Sequence, residues 1–168
     1  MGVYAFTQDN LIIPLCSQGT TVSANLELDS FTMRGYEHAT VCLLFGSTLS
    51  GDNVLTVETG SVDGADSADA TFHYRYNSAS VGVASSADVL TADATASTLT
   101  LTGTTYQDRM VVLEFEASEL PVASGPEGVV YDWVQVDLDG AAASGFMTAW
   151  AILSKPRYAK AIMPGALV

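Results

Sequence analysis

Hydrophobic and polar positions alternate along this chain in short runs, with turn-forming residues between them. Residues 40–45 (TVCLLF) set Val41, Leu43 and Phe45 on one side and Cys42 and Leu44 on the other. Residues 71–77 set Phe72, Tyr74 and Tyr76 against Thr71, His73, Arg75 and Asn77. Side chains of a strand point alternately to its two faces, so both runs predict strands with a sorted core side. The same reasoning predicts strands over 22–28, with Leu26 and Leu28 on one face, over 54–59, and over the Thr/Leu alternation of 98–102. Residues 46–53 (GSTLSGDN) are expected to join 40–45 to 54–59 as a wide hairpin, and 103–109 to turn the chain into the next run.

The last third continues the pattern with 110–117 (MVVLEFEA), 131–139 (YDWVQVDLD) and 144–153 (SGFMTAWAIL). In 144–153, Phe146, Trp150 and Ile152 point one way, and Met147, Ala149, Ala151 and Leu153 the other. A strand apolar on both faces is either central in a core or covered on its outer side by another subunit. In 131–139, Val134, Val136 and Leu138 make a core face, while Tyr131 and Trp133 share the opposite face with Gln135, Asp137 and Asp139. Aromatic side chains on an otherwise polar face fit an interface, or partial burial beneath the loop 117–130. That loop (ASELPVASGPEGVV) is expected to be an exposed excursion; 60–70 is a small-residue acidic loop, and 78–97 holds one or two edge strands. Short strands at this spacing, almost without helical periodicity, predict an all-β antiparallel sandwich, jelly-roll-like, of about eight strands. One domain over 1–168 is expected, with extensions at roughly 1–20 and 154–168.

Charge changes this picture. Nineteen acidic residues face six basic ones, a net of −13. All nineteen acids and three of the bases lie at or before Ser154, giving that part −16, whereas Lys155, Arg157 and Lys160 give the tail +3. A body so acidic opposes nucleic acid, whose binding needs Lys and Arg against phosphate, and opposes anionic membrane surfaces. The basic tail suits an acidic partner, a second copy of the chain included. Hydrophobic residues make up 48% of the sequence, but no run approaches the roughly 18 needed for a spanning helix. The N-terminus lacks the basic region of a signal peptide, and Phe6 stands where a myristoylation motif has Ser or Thr, so cytoplasmic synthesis is expected. Cys16 and Cys42 read as two buried, reduced thiols.

Candidate chemistry is sparse. His38 and His73 begin neither an HxH nor an HExxH pattern, and His73 falls on the outer side of its strand. Asp63, Asp66 and Asp69 form a spaced acidic series, but an EF-hand has another spacing and a terminal Glu, so no metal is assigned. There is no Gly-x-Ser-x-Gly elbow and no phosphate-cradling glycine loop. Glu114 and Glu116 share a strand face, which serves a glycosidase only if a cleft faces them. The Phe72, Tyr74 and Tyr76 stripe offers a sugar platform or, by its alternation, a core face. No catalytic residue, cofactor or metal is expected.

The stretches 39–46 (ATVCLLFG), 91–102 (TADATASTLTLT), 109–120 (RMVVLEFEASEL), 131–139 and the closing Pro156-Arg157-Tyr158 together carry a resemblance. From Gly35 to Lys160, about three quarters of the chain, the sequence resembles small β-sandwich proteins of the head-morphogenesis modules of tailed bacteriophages. Such proteins are commonly capsid decoration, or cement, proteins that sit outside the shell, often as trimers. The resemblance implies a non-enzymatic virion protein on the capsid exterior, with the major capsid protein and copies of itself as partners. It brings no catalytic residues. The expected contacts are Trp133, Trp150 and Phe146, aided by Lys155, Arg157, Tyr158 and Lys160. The alternatives are a head–tail connector or tail protein at low copy number, or a carbohydrate-binding module.

Overall fold

The computed structural model describes residues 6–23, 25–82, 87–124, 128–140 and 145–157. A four-residue helix α1 (Phe6–Asp9) precedes strands β1 (Leu11–Pro14), β2 (Thr20–Thr21), β3 (Leu26–Glu27), β4 (Phe31–Thr32), β5 (Tyr36–Phe45) and β6 (Asp52–Gly60). There follow β7 (Ala68–Asp69), β8 (Phe72–Tyr76), β9 (Ala94–Ala96), β10 (Thr98–Thr102) and helix α2 (Gly103–Tyr106). Strands β11 (Met110–Glu116), β12 (Trp133–Asp139) and β13 (Phe146–Pro156) close the described chain.

One sheet has seven strands, in the order β1-β13-β5-β11-β8-β9 with β2 also on β13. The other has six, in the order β10-β6-β12-β3, with β4 on β12 and β7 on β6. Every strand pair is antiparallel. The long strands β5, β6, β8, β10, β11, β12 and β13 fall alternately in one sheet and the other, so the chain crosses the core at each step in the jelly-roll manner. The all-β antiparallel sandwich expected from the sequence is present. Its thirteen strands exceed the expected count of about eight because β1, β2, β3, β4, β7 and β9 are four residues or shorter, too brief to show a period.

Alternation sorts the core as anticipated. Val41, Leu43 and Phe45 of β5, Val111, Leu113 and Phe115 of β11, and Val134, Val136 and Leu138 of β12 are all buried between the sheets. Each such side chain contributes roughly 1.5–3 kcal/mol when taken from water. Phe72 is fully buried, and Tyr74 and Tyr76 pack against the same core, so the aromatic stripe of β8 faces inward.

Three expectations need correction. Residues 46–51 do not close a hairpin: β5 and β6 lie in different sheets, because each buries one face against the shared core and the loop spans the gap between layers. The run 22–28 is not a continuous strand. Asn25 has φ +58, which breaks the extended backbone, and only Leu26 and Glu27 join a ladder. Residues 11–14 fall within the stretch expected as an N-terminal extension, yet they form an edge strand paired with β13. Pro14 is tolerated as the last residue of an edge strand, where no donor is needed on the outer side. Residues 11–14 therefore belong to the seven-stranded sheet, as does the chain through Pro156.

Candidate interaction faces

β13 carries the two-faced pattern into the structure. Met147, Ala149, Ala151 and Leu153 are buried in the core, which leaves Phe146, Trp150 and Ile152 on the outer side of the seven-stranded sheet. Register extends this outer side sideways: Ile12 pairs with Ile152, and Pro14 and Cys42 flank Trp150. Val112 stands opposite Cys42, and Met110 opposite Leu44. The result is an apolar stripe across four strands, in which Cys42 and Val112 are buried and Leu44, Met110, Trp150 and Ile152 are half-buried. Phe146 is 54% exposed and Ile12 49%, so the stripe is open to solvent at these two positions. At one end, Leu44, Phe146 and Val81 line a depression of about 330 Å³. Cys42 lies within the stripe, where burial and the Glu114 carboxylate push its thiol up to about 11. Both cysteines are free; Cys42 is buried as expected, but Cys16 is only partly so.

The opposite corner of the same face is polar. A depression of about 250 Å³ is lined by His38, His73, Arg75, Asp93, Glu114 and Glu116, among others. His38 Nδ1 lies 3.2 Å from Glu116 Oε1, and its Nε2 lies 3.2 Å from the Thr40 hydroxyl. Lys155 Nζ donates to the same Glu116 oxygen at 2.8 Å, which holds the Glu116 carboxyl below its ordinary value. His73 Nδ1 sits 2.9 Å from Asp93 Oδ2; this hydrogen bond raises the histidine and lowers the aspartate. Thr40, His38 and Glu116 thus follow one another as a hydroxyl, base and acid. The backbone N–H groups of β5 are engaged by β13 and β11, so none is free beside Thr40 to steady an oxyanion. Glu116, held low, is the reverse of the raised carboxyl that glycoside hydrolysis needs as its acid. Among the described residues no three His, Cys, Asp or Glu side chains gather as metal ligands.

The outer side of the six-stranded sheet is different again. Glu58 pairs with Gln135 and Asp69, and Asp137 with Glu27, which packs carboxylates side by side. Burial, then Asp66, Asp137, Asp69 and Glu27, push Glu58 up to about 7. Asp137 is raised as well, by burial and then Glu27. Trp133 stands at the margin of this face between Gly60 and Thr32, half-buried. The two tryptophans expected at an interface therefore lie on opposite outer faces of the sandwich and cannot share one contact.

The basic residues separate in the same way. Lys155, with φ +52 near the end of β13, binds Glu116. Arg157 lies at the end of the sandwich, its backbone N–H bonded to the Gly35 carbonyl. Tyr158 and Lys160 lie outside the described residues. Sequence reading missed Arg34, which binds Asp132 at 2.8 Å across 98 positions of sequence. Nothing local marks such a pair.

No family model and no curated protein matches the chain. Among solved structures, the infectious bursal disease virus VP2 subviral particle is similar at 14% identity and a TM-score of 0.15, a level that carries no argument. That match covers 88% of this chain, which spans about 40% of the length of the viral one. No helix among the described residues is long and apolar enough to cross a membrane.

Proposed function

We propose that the chain is a non-enzymatic virion structural protein, a capsid decoration protein that binds the outside of a phage shell and reinforces it. The observation that carries this reading is the apolar stripe on the outer sheet face, with Ile12 and Phe146 exposed and Trp150 and Ile152 half-buried. Contiguous exposed apolar surface of this kind marks a docking site, and a sheet face holds it flat and preorganised. The polar corner beside it, with His38, Glu114 and Glu116, supplies a rim of the sort that surrounds an interface core. The acidic body keeps such a protein off the packaged genome. The sequence resemblance to phage head proteins supports the context, and the major capsid protein is the partner it implies. Self-association, as a homotrimer, belongs to the same reading.

The test is quantitative mass spectrometry of purified virus particles that carry the chain. A copy number near that of the major capsid protein is expected. A handful of copies per particle moves the reading to a connector or tail protein, and absence from the particle discards it.

A further inference from the structure

One end of the sandwich holds a cavity of about 290 Å³ that neither outer face includes. Four connections meet there: residues 33–35 before β5, 117–122 after β11, 130–132 before β12, and Arg157 after β13. Its floor is apolar, from Met33 and Leu120, both buried. Its rim carries the exposed Val122 and Val130, which bridge to each other in a short ribbon. Two guanidinium-bearing residues, Arg34 and Arg157, also line it. Arg34 is bound to Asp132, whereas Arg157 has no ion-pair partner among the described residues. Asp132 lines the hollow too and neutralises Arg34, which leaves Arg157 as the cation on its wall; an apolar hollow beside that cation fits an apolar side chain flanked by a carboxylate.

The chain itself presents such a group. The loop after β6 carries Val62 at 61% exposure, followed by Asp63 and Asp66, both exposed. Its shape is fixed: Ala65 N–H bonds back to the Val62 carbonyl, and the Ser30 hydroxyl donates to Asp63. Gly60 starts the loop, and a Cβ there would run into the Ala65 backbone oxygen, so the tight return needs glycine. The valine is thus held out on a preformed acidic tip, with little conformational freedom left to lose on docking.

We propose that copies of this chain join by a heterologous contact in which Val62 of one copy enters the Met33–Leu120 hollow of the next, with Asp66 against Arg157. This deepens the self-association in the proposed function and is independent of attachment to a shell. Tip and hollow are different patches, so repeating the contact closes a ring or continues as an open chain. Both lie at the same end of the sandwich, near residues 30–34, which sets neighbouring copies side by side.

Sedimentation velocity on the isolated chain, without particles, tests it. The wild type is expected to associate at low salt and to loosen as salt screens the pairs. Arg157→Glu and Asp66→Arg, both at exposed sites, should each weaken association by about tenfold or more. The double reversal Asp66→Arg/Arg157→Glu should regain it, because the pair is restored between neighbours with its signs exchanged. Val62→Ser should weaken association without altering any charge. A wild type that stays monomeric up to about 1 mM, the weak end of measurable association, would overturn the contact. So would single reversals that leave association unchanged, or a double reversal no better than the singles. Loss of the contact with particle occupancy retained would leave the decoration reading standing.

Discussion

The outer faces of the two sheets are built on the same alternation, and each carries one tryptophan, yet their chemistry diverges. On the seven-stranded sheet, Trp150 lies among Ile12, Pro14, Cys42 and Ile152, with the charged groups drawn off to one corner and paired there. On the six-stranded sheet, Trp133 stands at the edge of a field of carboxylates, where burial and then mutual repulsion lift Glu58 to about 7. The core side of both sheets follows one rule, because any strand must bury apolar side chains there. The outer sides are free of that constraint, so their composition reports what each meets in use. Crowded carboxylates cost stability and keep a surface solvated; an open apolar stripe risks aggregation unless something covers it.

The largest effects should arise where the two sheets are alike. Leu113→Ala on one inner face and Leu138→Ala on the other should each destabilise the fold by about 2–5 kcal/mol, read by chemical unfolding. A large asymmetry between them would mean that one sheet is not packed as described. The outer faces should separate next. Phe146→Asp, on the apolar stripe, should weaken particle binding by about 2 kcal/mol or more, roughly thirtyfold, while Thr100→Asp on the acidic face leaves it unchanged. Co-sedimentation with stripped particles measures both.

The acidic face should show itself through pH. Glu58 has a folded value of about 7 against an ordinary 4.5, so the folded state holds a proton that the unfolded chain has lost. Its contribution is present at low pH and is lost as pH rises from about 4.5 through about 7. With solvent screening, the Glu58→Gln variant should gain on the order of 1 kcal/mol over wild type at pH 8 and lose that advantage by pH 5. Equal stability differences at the two pH values would contradict the carboxylate crowding. On the apolar sheet's polar corner the sign is mixed and the effect smaller. His73 is raised above its ordinary 6.5, so its bond to Asp93 stabilises below that value and fades as pH rises through the raised one. Asp93 is lowered, so its share is lost as pH falls through its own depressed value. An NMR titration should show His73 moving back toward its ordinary value in Asp93→Asn.

Periodicity made much of this legible. The core residues of β5, β8, β11, β12 and β13 and the double face of residues 146–153 follow directly from side-chain alternation. Layer assignment did not follow, because residues 46–51 have the same turn-rich composition whether they close a hairpin or cross the core. Asn25 broke a run whose hydrophobic spacing looked continuous, since a left-handed backbone at one residue leaves no mark on periodicity. The two tryptophans were grouped by residue type, and only sheet order shows that the core separates them. The hollow at the sandwich end was hidden because Met33, Leu120, Val130 and Arg157 come from four distant connections.

Hydroxyl-radical footprinting of the two tryptophans, on the free chain and on purified particles, would show which outer face meets the partner. Trp150 and Phe146, on the same strand face, should become protected on the particle while Trp133 reacts as it does in solution. Protection of Trp133 with Trp150 and Phe146 unchanged would place the partner on the acidic face and contradict the account.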